Sequence, residues 1–320
     1  MSVCICTYNG AAHLGAQLAS LSAQTRVPDE IVIGDDGSLD GTSEMLQRWA
    51  ATVSTPVLIE TRPEPVGHAA NLESVLARAS STVVLICDQD DRWRPEKLER
   101  LGQAFERSPE AAGVFSDSAL MDETGEPVGG TLWRTLSLSS AEQTALADGR
   151  GLPVLLRRNV VAGHALALRR DRLAWLTPFP ALHHADWWLA IGLLLDGGLV
   201  PVSEPLVEYR LHSGNAVGLR SRTSIASRIG ATAPGSRSVA DAELLEDLVT
   251  RFDQCRPGRL SPGDRALIEA KIAHSRLRGS LPRGRAGRVA PVAKALASGS
   301  YGRYSNGWKS ALIDLMAAPG

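Results

Sequence analysis

The chain has 320 residues, of which 44% are hydrophobic and 22% charged. That balance excludes a disordered or fibrous chain and leaves room for one large domain or two smaller ones. Lys and Arg total 34 against 35 Asp and Glu, a net charge of -1, which excludes a globally basic nucleic-acid binder. The longest apolar run, Trp187–Leu195, stops at Asp196, short of the roughly 20 residues a membrane-spanning helix needs. The N-terminus has neither a basic flank nor a long apolar segment, so no signal peptide is read and a cytoplasmic location is expected. Cys4, Cys6, Cys87 and Cys255 form no CxxC pair and no zinc-spaced cluster with His, and read as small hydrophobes in a reducing compartment.

The first hundred residues alternate strand and helix signals. Val3–Cys6 is a short apolar strand ending in a turn at Thr7, Tyr8, Asn9 and Gly10. Leu14, Leu18 and Leu21 then recur at helical spacing. Ile31–Ile33 is a second strand, closed by Gly34, Asp35, Asp36 and Gly37. The helix after it takes Asp40 as N-cap and carries Met45, Leu46 and Trp49 on one face. Val57–Ile59, a helix with Leu72, Val75, Leu76 and Ala79, the strand Thr82–Cys87, and a helix near Pro95 with Leu98, Leu101 and Phe105 follow in order. This pattern predicts an α/β fold with a mostly parallel sheet covered on both faces. Ligands of such sheets bind at the carboxyl ends of the strands, where Thr7–Asn9, Asp35–Asp36 and Asp88–Asp91 would gather.

Beyond residue 110 the pattern is mixed. Gly113–Asp117, Ala165–Leu168 and Leu206–Leu211 read as strands, 123–127 as a turn, Trp187–Leu195 as a buried helix and 230–236 as a linker. Residues 131–158 are less periodic. From Lys271 to Lys309 the chain has nine cations and no Asp or Glu. Such a stretch is a solvated helical surface, a patch that adheres to anionic lipid headgroups or, least favoured because aromatics are too sparse for base stacking, a nucleic-acid contact.

Asp88, Gln89, Asp90 and Asp91 place three carboxylates in four residues at a strand end. They repel one another unless a cation or water neutralises them. A divalent Mg2+ or Mn2+ ion takes one or two such oxygens and completes its shell with phosphate and water. Spacing alone leaves the alternative of a solvated turn with Asp91 capping the next helix. Asp35–Ser38, by itself, reads as a tight turn with a helix cap.

In combination, Thr7–Gly10, the Gly34–Thr42 segment (Gly-Asp-Asp-Gly-Ser-x-Asp-Gly-Thr) and Asp88-Gln-Asp-Asp-x-Trp93 closely resemble the family 2 glycosyltransferases. Gly163–Arg170, His184-Ala-Asp186-Trp-Trp and Glu204–His212 follow in the order that family shows, so the resemblance covers residues 2–215. It implies a GT-A fold, a Rossmann-like sheet flanked by helices, and inverting sugar transfer. The form of the acidic and His-x-Asp-Trp-Trp motifs is most similar to the rhamnosyltransferase-like branch. Ala185 departs from the branch, which often runs His-Asp directly, and leaves open which histidine acts. The resemblance implies that Thr7, Tyr8, Asn9, Asp36, Asp88 and Gln89 hold the nucleotide sugar. Asp90 and His212 would hold the Mg2+ or Mn2+ ion, and Asp186 would be the general base. Asp186 also reads as the cap of the Trp187–Leu195 helix, and Trp187 and Trp188 as core. His164, His183 and His184 read as structural.

The expected organisation is a GT-A domain over 1–215, with a nucleotide-sugar half at 1–110 and an acceptor half at 111–215. A helical, basic C-terminal extension occupies 216–320. The expected activity moves a sugar, with dTDP-L-rhamnose as one donor, to a saccharide or lipid-linked saccharide acceptor in cell-surface polysaccharide synthesis. The basic extension is the expected point of peripheral contact with the inner face of the cell membrane, and no nucleic-acid partner is expected. A sugar-nucleotide nucleotidyltransferase usually needs a glycine-rich basic loop near its first strand, and residues 7–13 contain no Lys or Arg. A non-catalytic nucleotide-sugar-binding module is the other alternative, against which intact Asp36, Asp90 and Asp186 argue.

Overall fold

The computed structural model describes residues 1–180, 185–212 and 234–316. The chain divides into two compact units, one of Met1–Gly151 with Val160–Asn215, the other of Leu152–Asn159 with Ala216–Gly320.

The first unit is built on a nine-stranded sheet. Strand β1 (Ser2–Thr7) is buried along its whole length and sits between β2 (Glu30–Asp35) and β4 (Val83–Asp88), parallel to both. β3 (Val57–Thr61) adds to β2 in parallel. Such strands are joined by crossover helices: α1 (Ala11–Ser22), α2 (Thr42–Ala50) and α3 (His68–Arg78). Leu14, Leu18 and Leu21 on α1 and Leu98, Leu101 and Phe105 on α4 (Lys97–Arg107) join Val3, Ile5, Ile33 and Leu85 in one core. The register sets the site, because Thr7 lies opposite Asp35 and Cys6 opposite Asp88. The carboxyl ends of three strands therefore finish side by side.

Parallel pairing holds from β3 to β4, and beyond it the sheet is mixed. β4 pairs antiparallel with β8 (Leu166–Arg169), which pairs antiparallel with β6 (Gly113–Met121). β6 runs parallel to β9 (Leu199–Arg210) and forms a hairpin with β7 (Pro127–Thr131) across the turn at 122–126. β5, only Arg92–Trp93, closes the far edge against β9. Apolar periodicity locates strands but carries no direction, so the reversal was not visible in it.

Between β7 and β8 lie α5 (Leu132–Thr135), α6 (Ser140–Ala147) and α7 (Leu152–Arg157), the less periodic stretch of the sequence. After β8 come α8 (Leu173–Leu176) and α9 (Ala185–Leu195). Trp187 through Leu194 are all buried, as befits a helix apolar on every side. The Trp188 indole N–H donates to the Leu176 carbonyl at 2.9 Å, so both tryptophans of the motif are core.

The second unit contains α7, α10 (Pro234–Cys255), α11 (Pro262–Gly279), α12 (Arg285–Ala297), α13 (Ser300–Tyr304) and α14 (Trp308–Met316). The expected linker at 230–236 is replaced from Pro234 onward by helix α10; residues 230–233 lie outside the described residues. Ser261 caps α11, accepting the Asp264 N–H at 3.0 Å, and Pro262 occupies the first turn. A small apolar core of Val292, Ala295, Tyr301 and Ala311 surrounds a polar one. Arg278 grips the buried Asp314 with two bonds of 2.7 and 2.9 Å, and the Tyr301 hydroxyl donates to the same carboxylate at 2.7 Å. Arg288 donates to the carbonyls of Pro282, Arg283 and Asp314, and Lys271 to that of Tyr304. Arg276 pairs with Glu246. Three of the nine tail cations, Lys271, Arg278 and Arg288, are thus taken up internally, and Arg276 is paired at the surface.

Helix α3 lies close on β2 because Gly34 has no side chain. A Cβ there would sit 2.3 Å from Asn71 Oδ1 and 2.6 Å from Val75 Cγ2, and Asn71 Nδ2 donates to the Gly34 carbonyl at 2.8 Å. Gly34→Ala is expected to destabilise the protein by about 1–3 kcal/mol, read as a lower midpoint in urea unfolding. An unchanged midpoint would show that α3 can move away freely.

Candidate active site

The loop after β1 is locked to the loop after β2 by short polar side chains. Thr7 Oγ1 donates to Asp35 Oδ1 at 2.8 Å, and the Asn9 N–H donates to Ser38 Oγ at 2.8 Å. Asn9 takes the left-handed conformation (φ 46°) and its Oδ1 accepts the Leu39 N–H at 2.9 Å. Asp40 stands one residue before the N-cap Gly41, yet it still accepts the Thr42 N–H at 3.1 Å and also holds the Ala11 N–H at 3.0 Å. It therefore braces the starts of both α1 and α2.

Asp36 is buried, and its two carboxylate oxygens accept the N–H groups of Val66 and Gly67, each at 2.8 Å. It holds the 64–67 loop in place at the end of β2. Gln89 ties the acidic loop to β1: its Oε1 accepts the Tyr8 N–H at 2.9 Å, and its Nε2 donates to the Tyr8 carbonyl at 3.1 Å. Gly10 makes room for that amide, since a Cβ there would fall 2.2 Å from Gln89 Oε1.

The three aspartates of the acidic loop have separate surroundings. Asp91 is fully buried, does not cap α4 and is not part of a solvated turn. Its Oδ1 accepts the Arg210 N–H at 3.0 Å, while its Oδ2 has no hydrogen bond among the described residues, with His164 Nδ1 3.6 Å away. Burial, then the charges of Asp88 and Asp90, push its carboxyl well above the usual range. Burial and then Asp90 push Asp88 up to about 6. Asp90 faces outward and meets His212, with Nε2 to Oδ2 at 2.7 Å and side chains 15% and 18% exposed for His212 and Asp90 respectively. His13 on α1 places its ring 5.5 Å from the His212 ring.

Two buried cations oppose these charges. Arg210 donates from Nε to the Asp90 carbonyl at 2.7 Å and from a terminal nitrogen to the Glu123 carbonyl at 2.9 Å. Lys97, wholly buried, donates to the His164 carbonyl at 2.6 Å and lies 3.4 Å over the Trp93 ring. Burial draws its ammonium down to about 7, with Cys87, Asp91 and Asp88 resisting. His164 stacks on Tyr209 at 4.6 Å and bonds Ser118 Oγ through Nε2 at 3.0 Å. Burial and then Lys97 lower it to about 3, so it is neutral at pH 7.

Asp186 lies in the first turn of α9, with the Trp187 N–H donating to its Oδ1 at 2.7 Å, which fixes the direction of the carboxylate. It shares an electrostatic neighbourhood with the acidic loop. The Tyr209 hydroxyl is pushed up by burial and then by Asp91, Asp88, Asp90 and Asp186 together. Thr7, Tyr8, Gln89, Asp88, Asp90 and His212 are thus gathered around the ends of β1, β4 and β9, Asp186 acts on the same Tyr209 from α9, and Asp36 is taken up by the 64–67 loop. His183 and His184 lie outside the described residues.

The donor set suits a hard divalent cation. Asp88, Asp91 and His164 offer ligand atoms all within 4.8 Å of one another, and Asp91 carries a buried oxygen with no hydrogen bond among the described residues. Asp90 and His212 form the more open pair beside them. Lys97, Arg210 and His13 were missed in the sequence. A lysine that opens an amphipathic helix looks solvent-facing, and only Trp93, one turn before it, hinted at a covered ammonium.

Residues 2–152 match the family profile Glycosyl transferase family 2. An uncharacterized glycosyltransferase of Nostoc sp. is 28% identical over 226 residues, 67% of this chain and 66% of that one. The putative teichuronic acid biosynthesis glycosyltransferase TuaG of Bacillus subtilis is 31% identical over 129 residues, 40% of this chain and 50% of that one. The chain spans 59% of the length of the first curated relatives it matches. Among solved structures, S. aureus TarS 1–349 in complex with UDP-GlcNAc aligns over 98% of this chain and 90% of its own, with TM-score 0.57 and 14% identity. Mannosyltransferase PcManGT from Pyrobaculum calidifontis, in complex with GDP-Man and Mn2+, aligns over 98% and 84%, with TM-score 0.55 and 20% identity. These likenesses establish the GT-A fold.

His164 supplies a pH test of the cluster. Its native pKa, about 3, lies below the ordinary 6.5, so between these values the unfolded chain binds the proton and the native one does not. Stability owed to neutral His164 is full above pH 6.5 and is lost as pH falls through that window. The Tm gap between the wild type and His164→Asn is therefore expected to narrow from pH 7 to pH 4. A constant gap would contradict a neutral, buried His164.

Proposed function

We propose, from the premise that residues 2–152 are a glycosyl transferase family 2 domain, that the chain is an inverting, metal-dependent glycosyltransferase acting on a nucleotide-sugar donor. The observation that carries this reading is the meeting of Asp90 and His212 at the strand ends, on the acidic loop that Gln89 ties to Tyr8, with Asp186 acting on the same Tyr209 as that loop. Thr7, Tyr8, Asn9, Asp36, Asp88 and Gln89 form the nucleotide side: Tyr8 offers a half-exposed ring to the base, and Asn9 and Asp36 hold the flanking loops.

Asp90 and His212 would hold Mg2+ or Mn2+. That ion, when bound, supplies Lewis-acid neutralisation of the charge growing on the departing diphosphate. Asp186 takes the proton of the attacking acceptor hydroxyl. The hydroxyl oxygen bonds to the anomeric carbon as the bond from that carbon to the phosphate oxygen breaks, and the nucleoside diphosphate leaves with the electron pair. A base on the face opposite the leaving group makes this one in-line displacement, which inverts the anomeric centre. Arg210 and Gln89 keep the acidic loop seated while charge rearranges around it.

Donor and acceptor belong to the same proposal. TarS and PcManGT carry UDP- and GDP-linked sugars in their structures, so the GT-A frame accommodates different bases, and dTDP-L-rhamnose is the first donor to try because of the rhamnosyltransferase-like motifs. The likeness to TuaG, named for teichuronic acid biosynthesis, supports a role in polysaccharide synthesis, and the proposed acceptor is a saccharide or lipid-linked saccharide. Asp186→Asn is expected to lower the transfer rate by about 10²–10⁴-fold while the affinity for the donor stays within a few-fold. Near wild-type transfer by this variant would remove Asp186 from the base role.

A further inference from the structure

The C-terminal helices of the second unit present apolar side chains that the polar core beneath them does not use. On α14, Trp308 (63% exposed), Leu312 and Met316 stand four residues apart, one above another on a single face. The other side of the helix, with Ser310, Ala311 and Asp314, is buried. On α12, Val289 (57% exposed) and Leu296 stand seven residues apart, again on one face, while Arg288, Val292 and Ala295 are buried. The two helices meet where Arg285, at the start of α12, donates to the Met316 carbonyl at 3.3 Å, at the end of α14.

The charge around this surface has one sign. No Asp or Glu occurs from residue 270 to 313, and the next acid, Asp314, is buried and gripped by Arg278. Lys271, Arg278 and Arg288 are taken up by the fold, and the exposed cations are Arg276, which pairs with Glu246, Arg285, which also reaches the Met316 carbonyl, and Arg283, Lys294, Arg303 and Lys309. Single exposed apolar residues need no explanation, but a tryptophan-led stripe on helices whose exposed charges are all cationic does. Long cationic side chains suit phosphate headgroups, a tryptophan suits the headgroup boundary, and the aliphatic stripe suits the acyl edge below it. A protein partner would need acidic complements at set positions, whereas a bilayer supplies negative charge everywhere. Among the described residues no helix is long and apolar enough to cross a membrane, so such contact would be peripheral.

We infer that the α12–α14 surface is a docking face for an anionic lipid bilayer, with Trp308, Leu312 and Met316 entering the headgroup boundary and Arg285 and Lys309 engaging lipid phosphates. The inference names a surface for the membrane contact and rests on no part of the glycosyl-transfer reading, because lipid binding can be measured without donor or acceptor.

Flotation of the full chain with vesicles of phosphatidylcholine, with and without phosphatidylglycerol, tests it. Binding is expected to anionic vesicles only and to weaken with added salt. Lys309→Glu should cut partitioning at least about fivefold, since each surface cation contributes roughly a factor of five. Trp308→Ser with Leu312→Ser should abolish binding while helicity and Tm hold. Absence of binding to anionic vesicles, or equal binding to neutral ones, would overturn the inference. Light scattering that found a dimer in the wild type and a monomer in Trp308→Ser would also overturn it, because the stripe would then be an interface between copies.

Discussion

The desolvated acidic turn at 88–91 is the constraint around which the first unit is arranged. Asp91 is driven into the interior directly after β4, and an interior carboxylate must find donors or give up its charge. The chain answers with groups distant in sequence: the Arg210 N–H on Asp91, the Arg210 side chain on the Asp90 carbonyl, and the buried Lys97 beneath. Each bond also fixes a neighbour. Because Arg210 is held at the turn, His212 two residues later arrives at Asp90, and Tyr209 one residue earlier stacks on His164. A costly buried charge thereby aligns β9 with β4 and sets the functional groups between them.

Division of labour within the acidic motif follows from this. Asp91 and His164 are buried and organise the interior, whereas Asp90 and His212 are partly exposed and Asp88 is the most exposed of the five. Burial and mutual repulsion raise Asp88 and Asp91 together, so a divalent cation entering beside them would relieve a repulsion that Lys97 and Arg210 only partly balance. Asp36 works at one remove: by holding the Val66 and Gly67 N–H groups it shapes the loop at the end of β2.

Much of this was legible in the amino-acid order. β1 to β4 and their helices were readable because buried parallel strands are continuous apolar runs and their helices carry an apolar stripe. That Thr7, Asp35 and Asp88 finish at neighbouring strand ends followed from topology. Strand direction beyond β4 was not readable, nor was β5, since Arg92–Trp93 is a strand only because β9 lies beside it. The fates of individual charges were hidden as well. Asp91 resembled a helix cap and became a buried anchor, and a third of the tail's apparent basicity proved to be internal wiring, with Lys271, Arg278 and Arg288 spent on Asp314 and on backbone carbonyls. Composition counts charges, but only packing decides which of them reach solvent.

Cation-dependent nucleotide binding tests the central claim most directly. Isothermal titration of UDP and dTDP into the full chain, with and without Mn2+, reads the site without needing the acceptor. The account predicts binding that requires Mn2+ in the wild type and is lost in Asp90→Asn while the fold is retained. Nucleotide binding of equal strength without the ion, unaffected by that substitution, would contradict it.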